Sequence, residues 1–366
     1  MNKKIILTGG GTAGHVSVNL GLIPRLSQAG WTIDYVGSKE GIERDLVSDF
    51  PQVNYHAIST GKFRRRRNWE NFKANVEDVG HVFSGIREAK ALVKAIRPNI
   101  VFSKGGFVSV PVVFAASRQG VPVIAHESDL TPGLANKLSA PFSEKILTTF
   151  RQTLAHLPKN KGLYLGPIIR DQIKGGSRED GLRAFGFDGK KPVLLILGGS
   201  SGAVRVNEAV WKNLDPLLEV FDILHGVGKD KGRGELVRPG YRQVEFIREN
   251  MNHALAMADL IISRAGSNAI FEFLYYHKPM VLVPYRLGSR GDQVDNAQVF
   301  VDRGYAISLN DQTMSQDEFL SGVRQVWANR QDYIEAQSHF PFDDGLGRIC
   351  RILEEAQCPY PLSRKS

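Results

Sequence analysis

The chain has 366 residues, 42% of them hydrophobic and 23% charged, which is the make-up of an ordinary water-soluble globular protein with length enough for two domains. It contains no apolar run of the roughly 18 residues that a membrane-crossing helix needs, and Lys3 and Lys4 lead straight into an apolar strand with no signal-peptide core. Those features predict a cytoplasmic chain, neither secreted nor membrane-spanning.

Charge is unevenly placed: residues 1–170 carry 23 Lys and Arg against 12 Asp and Glu, while 171–366 carry 24 against 26. The first half therefore asks for an anionic partner, either nucleic acid or an anionic membrane surface.

Apolar β-branched runs alternate with helical stretches along the chain. In the first half they fall at 5–7, 32–36, 100–102, 122–125 and 145–149, which predicts a parallel sheet. Directly after the first run, Thr8-Gly9-Gly10-Gly11-Thr12-Ala13-Gly14-His15 satisfies G-x-G-x-x-G, with Asp34 twenty residues beyond Gly14, so a dinucleotide site must be weighed. Against it, Asp34 runs on into Tyr35-Val36-Gly37 instead of ending its strand, and the second half carries its own nucleotide-type site. The alternative is a glycine loop whose N–H groups approach a phosphate or sugar, with His15 at the next helix N-terminus as a candidate general base. The plainer role for such a His is to cap the helix or pack on the sheet.

Lys62-Phe63 then leads into Arg64, Arg65, Arg66 and Arg67, followed by apolar residues at Trp69, Phe72, Val76, Val79, Phe83 and Ile86. Steps of three and four make these one stripe of a helix. Basic residues ahead of Trp and Phe read as a peripheral anchor for anionic lipid, each cation adding roughly 1 kcal/mol near such a surface. The competing reading packs the stripe on the sheet and leaves the arginines solvated. Nucleic acid fits less well, because no aromatic-interleaved face or recognised module accompanies the cluster.

Two more polar turns follow apolar strands: Ser103-Lys104-Gly105-Gly106-Phe107-Val108-Ser109, then His126-Glu127-Ser128-Asp129-Leu130-Thr131-Pro132-Gly133-Leu134-Ala135-Asn136. Glu127 and Asp129 suit sugar hydroxyls, and one of them competes with His15 for the role of base. After Gly162-Leu163-Tyr164-Leu165-Gly166-Pro167 the strand pattern restarts at 193–197, 222–225, 244–247, 260–263, 280–283 and 306–309, with a linker expected near 160–172. The expectation is two doubly wound domains whose motifs face one cleft at the strand carboxyl ends.

The densest motif lies between Leu260 and Ala297. There a strand, an Arg-Ala-Gly turn, a helix, a second strand and a polar hook with Gln293 and Asn296 succeed one another. Free backbone N–H groups at the start of that helix, near residues 263–268, bind diphosphate oxygens without a metal. Glu272, about a turn further on, is placed to accept from the two hydroxyls of a ribose, although a lone Glu there could merely complement the helix dipole. Cys350 and Cys358 have no metal-ligand spacing and no reason to be bridged.

The segments GGGTAGHV, SKGGFVSVP, HESDLTPGLANK, LGGSSGA, SRAGSNAIFEF and GDQVDNA, in this order, closely resemble the MurG family of cell-wall N-acetylglucosaminyltransferases, and the resemblance covers essentially the whole chain. It implies an α/β fold of two Rossmann-like doubly wound parallel-sheet domains facing one cleft, the GT-B type. The N-terminal domain, 1–165 completed by a C-terminal helix in 345–366, would face acceptor and membrane, and 166–344 would bind the UDP-sugar. Carried over, Thr12, Ala13 and Gly14 line the glycine loop beside the donor, Arg170 and Ser200 contact the diphosphate, and Ile247 reads uracil through its backbone. Glu272 holds the ribose, Gln293 binds the transferred sugar, and Asp129 is a further donor-contact position.

Two positions depart from the family pattern: Asp129 stands where Asn is usual, adding charge near the sugar, and Phe107 where a phenol is frequent, so no hydroxyl there is essential. His15 and Glu127 both match the pattern as base, and the choice stays open.

The implied reaction is an inverting transfer of GlcNAc from UDP-GlcNAc to the 4-hydroxyl of MurNAc in undecaprenyl-pyrophosphoryl-MurNAc-pentapeptide, lipid I to lipid II, in peptidoglycan synthesis. No Asp-x-Asp pair occurs, so helix N-termini, Ser200 and Arg170 are expected to stabilise the leaving diphosphate, with no metal or other cofactor. The implied partners are UDP-GlcNAc, lipid I, the anionic inner leaflet at the cytoplasmic face of the cell membrane and other cell-wall synthesis proteins, with no nucleic acid. A diacylglycerol glycosyltransferase of the same architecture and a non-catalytic membrane scaffold that binds UDP-sugar are the alternatives.

Overall fold

The computed structural model describes residues 3–61, 69–199, 203–286 and 291–357. The chain divides into two compact units, Met1–Arg170 with Asp343–Ser366, and Asp171–Phe342.

In chain order the first unit contains β1 (Lys3–Thr8), α1 (Ser17–Gln28), β2 (Trp31–Ser38), α2 (Ile42–Val47), β3 (Val53–Ile58), α3 (Trp69–Ile96), β4 (Ile100–Ser103), α4 (Ser109–Arg118), β5 (Val123–Glu127), α5 (Leu134–Ser139), β6 (Lys145–Thr148) and β7 (Gly162–Tyr164). These strands pair in parallel in the order β3-β2-β1-β4-β5-β6-β7. The second unit contains α6 (Arg178–Phe185), β8 (Val193–Leu197), α7 (Val204–Lys212), α8 (Leu214–Val220), β9 (Asp222–Gly226), β10 (Tyr241–Val244), α9 (Met251–Met257), β11 (Leu260–Ser263), α10 (Ser267–Tyr275), β12 (Met280–Leu282), α11 (Asp292–Asp302), β13 (Ala306–Ser308), α12 (Gln316–Ala328) and α13 (Arg330–Ser338). Its sheet is also parallel, in the order β10-β9-β8-β11-β12-β13. A last helix, α14 (Gly345–Ala356), belongs to the first unit.

The near-continuous apolar strands follow from burial on both faces. Ile5 and Leu7 of β1 join a core with Leu22 and Leu26 of α1, whereas Ile6 joins the opposite core with Val93 of α3 and Val112 of α4. β4 repeats the division, Ile100 and Phe102 on the first side and Val101 on the second. Leu346, Ile349 and Leu353 of α14 complete the first of these cores. The same helix is tied down by Lys3 and Trp31, both donating to Glu354, and by Arg25 donating to Asp344 at 2.8 Å. In the second unit, Leu194, Ile196, Leu260, Ile262 and Val281 pack against Val206 and Val210 of α7 and Phe319, Val323 and Val326 of α12.

Three expectations are corrected, and one strand is added to the apolar runs. The added strand, β3, is an edge strand paired with β2, and its Asn54 and His56 interrupt the apolar pattern. Residues 162–164 are an edge strand and not linker, since β7 pairs with β6 through Ile146↔Gly162 to Thr148↔Tyr164. The strand expected at 244–247 lies at Tyr241–Val244, where pairing with β9 begins just after Gly240, so Ile247 sits in the loop beyond it. Finally, the polar hook is helical: Gln293 and Asn296 are on α11.

Candidate active site

Both sheets reverse direction of winding at a defined point, between β1 and β4 in the first unit and between β8 and β11 in the second. Loops at the carboxyl ends of such strands form the ligand crevice of doubly wound folds.

In the first unit three loops meet there. Lys104 N–H extends the β1–β4 pairing by donating to the Thr8 carbonyl at 2.9 Å, and Gly10 N–H donates to the Gly105 carbonyl at 3.3 Å. Gly106 has φ +84°, and a Cβ on it would overlap the Gly10 carbonyl, so the second turn seats on the first only with glycine there. The glycine loop then enters a short 3-10 turn, Ala13–His15. Thr12 and Gly14 are exposed and His15 is half-buried. The ring of His15 is held by the Thr12 hydroxyl, 3.1 Å from Nδ1, and by a hydrogen bond to the Gly10 backbone.

Burial, and next the charge of Lys104, push the His15 pKa down to about 4, with Asp129, the Gly10 bond and Glu43 opposing. The imidazole is therefore neutral at neutral pH.

Lys104 is 1% exposed and donates to Ser128 Oγ at 2.9 Å, between Glu127 and Asp129. Burial lowers its pKa, and Glu127 and Asp129 oppose that shift. Glu127, at the end of β5, is buried with both oxygens engaged. Oε1 accepts from Asp129 N–H at 3.0 Å, and Oε2 accepts from Gly133 N–H and Asn136 Nδ2, each at 2.9 Å. Burial and then the charge of Asp129 raise its pKa. This carboxylate pins the 128–133 loop over its own strand.

In the second unit β11 ends at Ser263, whose hydroxyl donates to the Leu197 carbonyl at 2.9 Å, and the turn through Ala265 and Gly266 opens α10. Arg264 turns away into the fold, donating to the Val283 carbonyl at 2.8 Å and to Asp311 at 2.9 Å. Glu272 is buried on the second turn of α10. Gln293 Oε1 accepts from Tyr285 N–H at 2.9 Å, and Asn296 Nδ2 donates to the Ala265 carbonyl at 3.3 Å. Thus α11 is clamped to both the 264–266 turn and the end of the β12 segment.

Of the residues singled out from sequence, Thr12, Ala13, Gly14, His15, Glu127, Asp129 and Arg170 lie in the first unit, and His15, Asp129 and Glu127 gather around Lys104. The stem of Arg170 lies near Gly21 of α1. Ile247, Glu272 and Gln293 lie in the second unit. Ser200, Arg64, Arg65, Arg66 and Arg67 fall outside the described residues, as do the side chains of Trp69 and Phe72 on α3. Farther along α3, Phe83 is 70% exposed, so that part of the stripe is not core. Sequence reasoning passed over Lys104 and Glu43. Lys104 was visible only as a cation within a glycine turn, and nothing local to Glu43 marks it as buried. Among the described residues no helix is long and apolar enough to cross a membrane, and no group of three or more His, Cys, Asp and Glu could hold a metal ion.

Two family models divide the chain between them: the glycosyltransferase family 28 N-terminal domain over residues 5–148 and the family 28 C-terminal domain over 193–348. A Geobacillus kaustophilus protein named UDP-N-acetylglucosamine–N-acetylmuramyl-(pentapeptide) pyrophosphoryl-undecaprenol N-acetylglucosamine transferase is 45% identical over 97% of this chain and 99% of its own. A protein of the same name from Oceanobacillus iheyensis is 50% identical over 96% and 98%. Among solved structures, that of Acinetobacter baumannii MurG aligns with a TM-score of 0.70 at 23% identity, covering 96% of this chain and 99% of that one, a likeness of fold. With two parallel-sheet units, their loops furnished at both switch points, and relatives matched over nearly their full length, the chain belongs to glycosyltransferase family 28, among its pyrophosphoryl-undecaprenol N-acetylglucosamine transferases.

Proposed function

We propose that this enzyme transfers GlcNAc from UDP-GlcNAc to the 4-hydroxyl of MurNAc in undecaprenyl-pyrophosphoryl-MurNAc-pentapeptide, with inversion, and that His15 is the general base. The observation that carries the reading is the place of the His15 ring, at the β1–β4 switch point with Nδ1 3.1 Å from the Thr12 hydroxyl, and burial that lowers its pKa keeps it a free base. The acceptor oxygen attacks the anomeric carbon, its proton passes to His15, and the bond to the UDP oxygen breaks with its electron pair leaving on the diphosphate. Approach of an anionic acceptor diphosphate raises the imidazole pKa from about 4 towards the working pH, which strengthens the base at the moment it is needed. Glu127 serves as the staple of the neighbouring loop, because three of its roughly four lone-pair sites accept from that loop's own donors.

On the donor side, Thr12, Ala13, Gly14 and Asp129 line the sugar, Arg170, Ser200 and the start of α10 neutralise the diphosphate without a metal, and Ile247 and Glu272 take uracil and ribose. Gln293, whose Oε1 is held by Tyr285 N–H, donates its amide NH2 to the sugar hydroxyls. Arg64, Arg65, Arg66 and Arg67, with Trp69, Phe72 and the exposed Phe83, hold the first unit against the anionic cytoplasmic face of the membrane.

The test is transfer of labelled GlcNAc from UDP-GlcNAc to a lipid I analogue by wild type, His15→Ala and Glu272→Ala, with and without EDTA. Turnover that survives EDTA and collapses in both variants is expected. Absence of transfer to that acceptor, with UDP still bound, would overturn the reading. For the membrane face, replacing the four arginines with Gln should release the protein from acidic vesicles at moderate salt, and unchanged binding would refute it.

A further inference from the structure

The glycine loop matches a phosphate-binding spacing, yet its second glycine is already spoken for. Gly11 N–H, in the position that approaches a pyrophosphate in dinucleotide folds, donates to Glu43 Oε2 at 3.0 Å. Glu43 Oε1 accepts from Ser38 N–H at 2.9 Å and Ser38 Oγ at 2.5 Å. Glu43 is 0% exposed, on the first turn of α2, and a Cβ on Gly10 or on Gly41 would overlap its carboxyl group. A Cβ on Gly37 of β2 would meet the Tyr55 hydroxyl first and then the Glu43 stem at 3.0 Å. Three glycines, Gly10, Gly37 and Gly41, thus leave the space that a carboxylate from the chain itself fills.

We propose that Glu43 is a positioning residue: it occupies the anion seat of the first glycine loop, closes that N–H to phosphate, and fixes the loop so that Thr12 and His15 are presented to the acceptor. The proposal rests on the reading of His15 as base. It explains why a chain with G-x-G-x-x-G spacing does not offer Gly11 to a dinucleotide. A phosphate arriving there would meet a buried carboxylate on the same donor, and like charges at that distance repel.

The test uses the full-length enzyme with Glu43→Ala and Glu43→Gln, and His15→Ala in parallel. In Glu43→Ala, kcat should fall about 10- to 100-fold, the penalty for a catalytic group displaced by about an ångström, while affinity for UDP stays within about twofold. Sodium formate, a carboxylate that fits the vacated seat, should restore part of the lost kcat in Glu43→Ala and none in Glu43→Gln, whose side chain still fills the space. Hydrogen exchange should show the Gly11 and Ser38 amides protected in wild type and unprotected in Glu43→Ala. If Glu43→Ala misfolds, Glu43→Gln decides: its larger amide-exchange rate at Gly11 and reduced kcat support the seat, and wild-type values of both overturn it. Wild-type kcat in folded Glu43→Ala, or a loss that formate does not touch with amide exchange unchanged, overturns the proposal. Full activity of His15→Ala beside an impaired, formate-rescued Glu43→Ala would sink the base reading and leave the seat standing.

Discussion

Thr12 and His15 are joined twice across one turn: Thr12 Oγ1 stands 3.1 Å from His15 Nδ1, and His15 N–H donates to the Thr12 carbonyl at 3.0 Å. The backbone bond sets the turn and the hydroxyl sets the ring. Removing the imidazole with His15→Ala should lower kcat/KM by about 10²- to 10⁴-fold. Thr12→Val keeps the shape and loses the hydroxyl, so a loss of about tenfold is expected, with Thr12→Ser close to wild type. Initial rates on a lipid I analogue measure both, and a Thr12→Val enzyme at full rate would show that the hydroxyl does not orient the ring.

The depressed pKa of His15 has a direction that can be read in a pH profile. With the folded-state pKa at about 4 against an ordinary 6.5, the acid limb of kcat/KM should fall near pH 4. Lys104→Met removes a cation that lowers the pKa and leaves Asp129 and Glu43, which raise it, so the limb should move to higher pH. A profile in Lys104→Met that coincides with wild type would count against the electrostatic role of this buried lysine.

The same linkage bears on stability. His15 at about 4 and His225 at about 3, the latter lowered by burial, stay neutral in the fold while the unfolded chain takes up protons below about 6.5. Their contribution is fully present above pH 6.5 and is lost as pH falls through the folded values. Urea unfolding at pH 7 and pH 5 should show the lower midpoint at pH 5.

Glu127→Ala strands the Asp129 and Gly133 amides and the Asn136 side chain, and should cost about 2–4 kcal/mol of stability. Glu127→Gln keeps one acceptor oxygen and should cost less, with turnover retained. Denaturant midpoints and rates together decide the point, because a stable Glu127→Gln enzyme without turnover would make Glu127 the base in place of His15.

Two donor-side variants should separate nucleotide from sugar. Glu272→Ala is expected to weaken UDP itself, by roughly 1.5–3 kcal/mol for lost hydrogen bonds to a charged group. Gln293→Ala should leave UDP affinity alone and raise KM for UDP-GlcNAc, since its role is to the transferred sugar while its Oε1 is held by Tyr285 N–H. Calorimetry with UDP and kinetics with UDP-GlcNAc give the two readings. Equal losses for UDP in both variants would contradict the division of labour.

The last helix carries weight for the first unit. Leu346, Ile349 and Leu353 are fully buried in its core, each contributing about 1.5–3 kcal/mol by burial. Truncation after residue 343 should therefore leave a first unit that no longer unfolds cooperatively while the second unit keeps its own transition, as thermal melting followed by circular dichroism would reveal.

Alternation of apolar strands with helical stretches was enough to read two parallel-sheet units from the sequence, because strands buried on both faces must be apolar throughout, as Ile5, Ile6 and Leu7 are. The glycine turns, His15 and Glu272 were legible for a related reason: backbone turns and helix starts are written in neighbouring residues. Edge strands β3 and β7 were not, since a strand paired on one side tolerates Asn54, His56 and glycine. Nor could local sequence tell that Lys104 is buried against Ser128, that Glu127 spends its oxygens on its own loop, or that Glu43 reaches under Gly11 from 32 positions away. Those assignments depend on which loops the crossovers bring together at the β1–β4 switch point, and only the folded chain decides that.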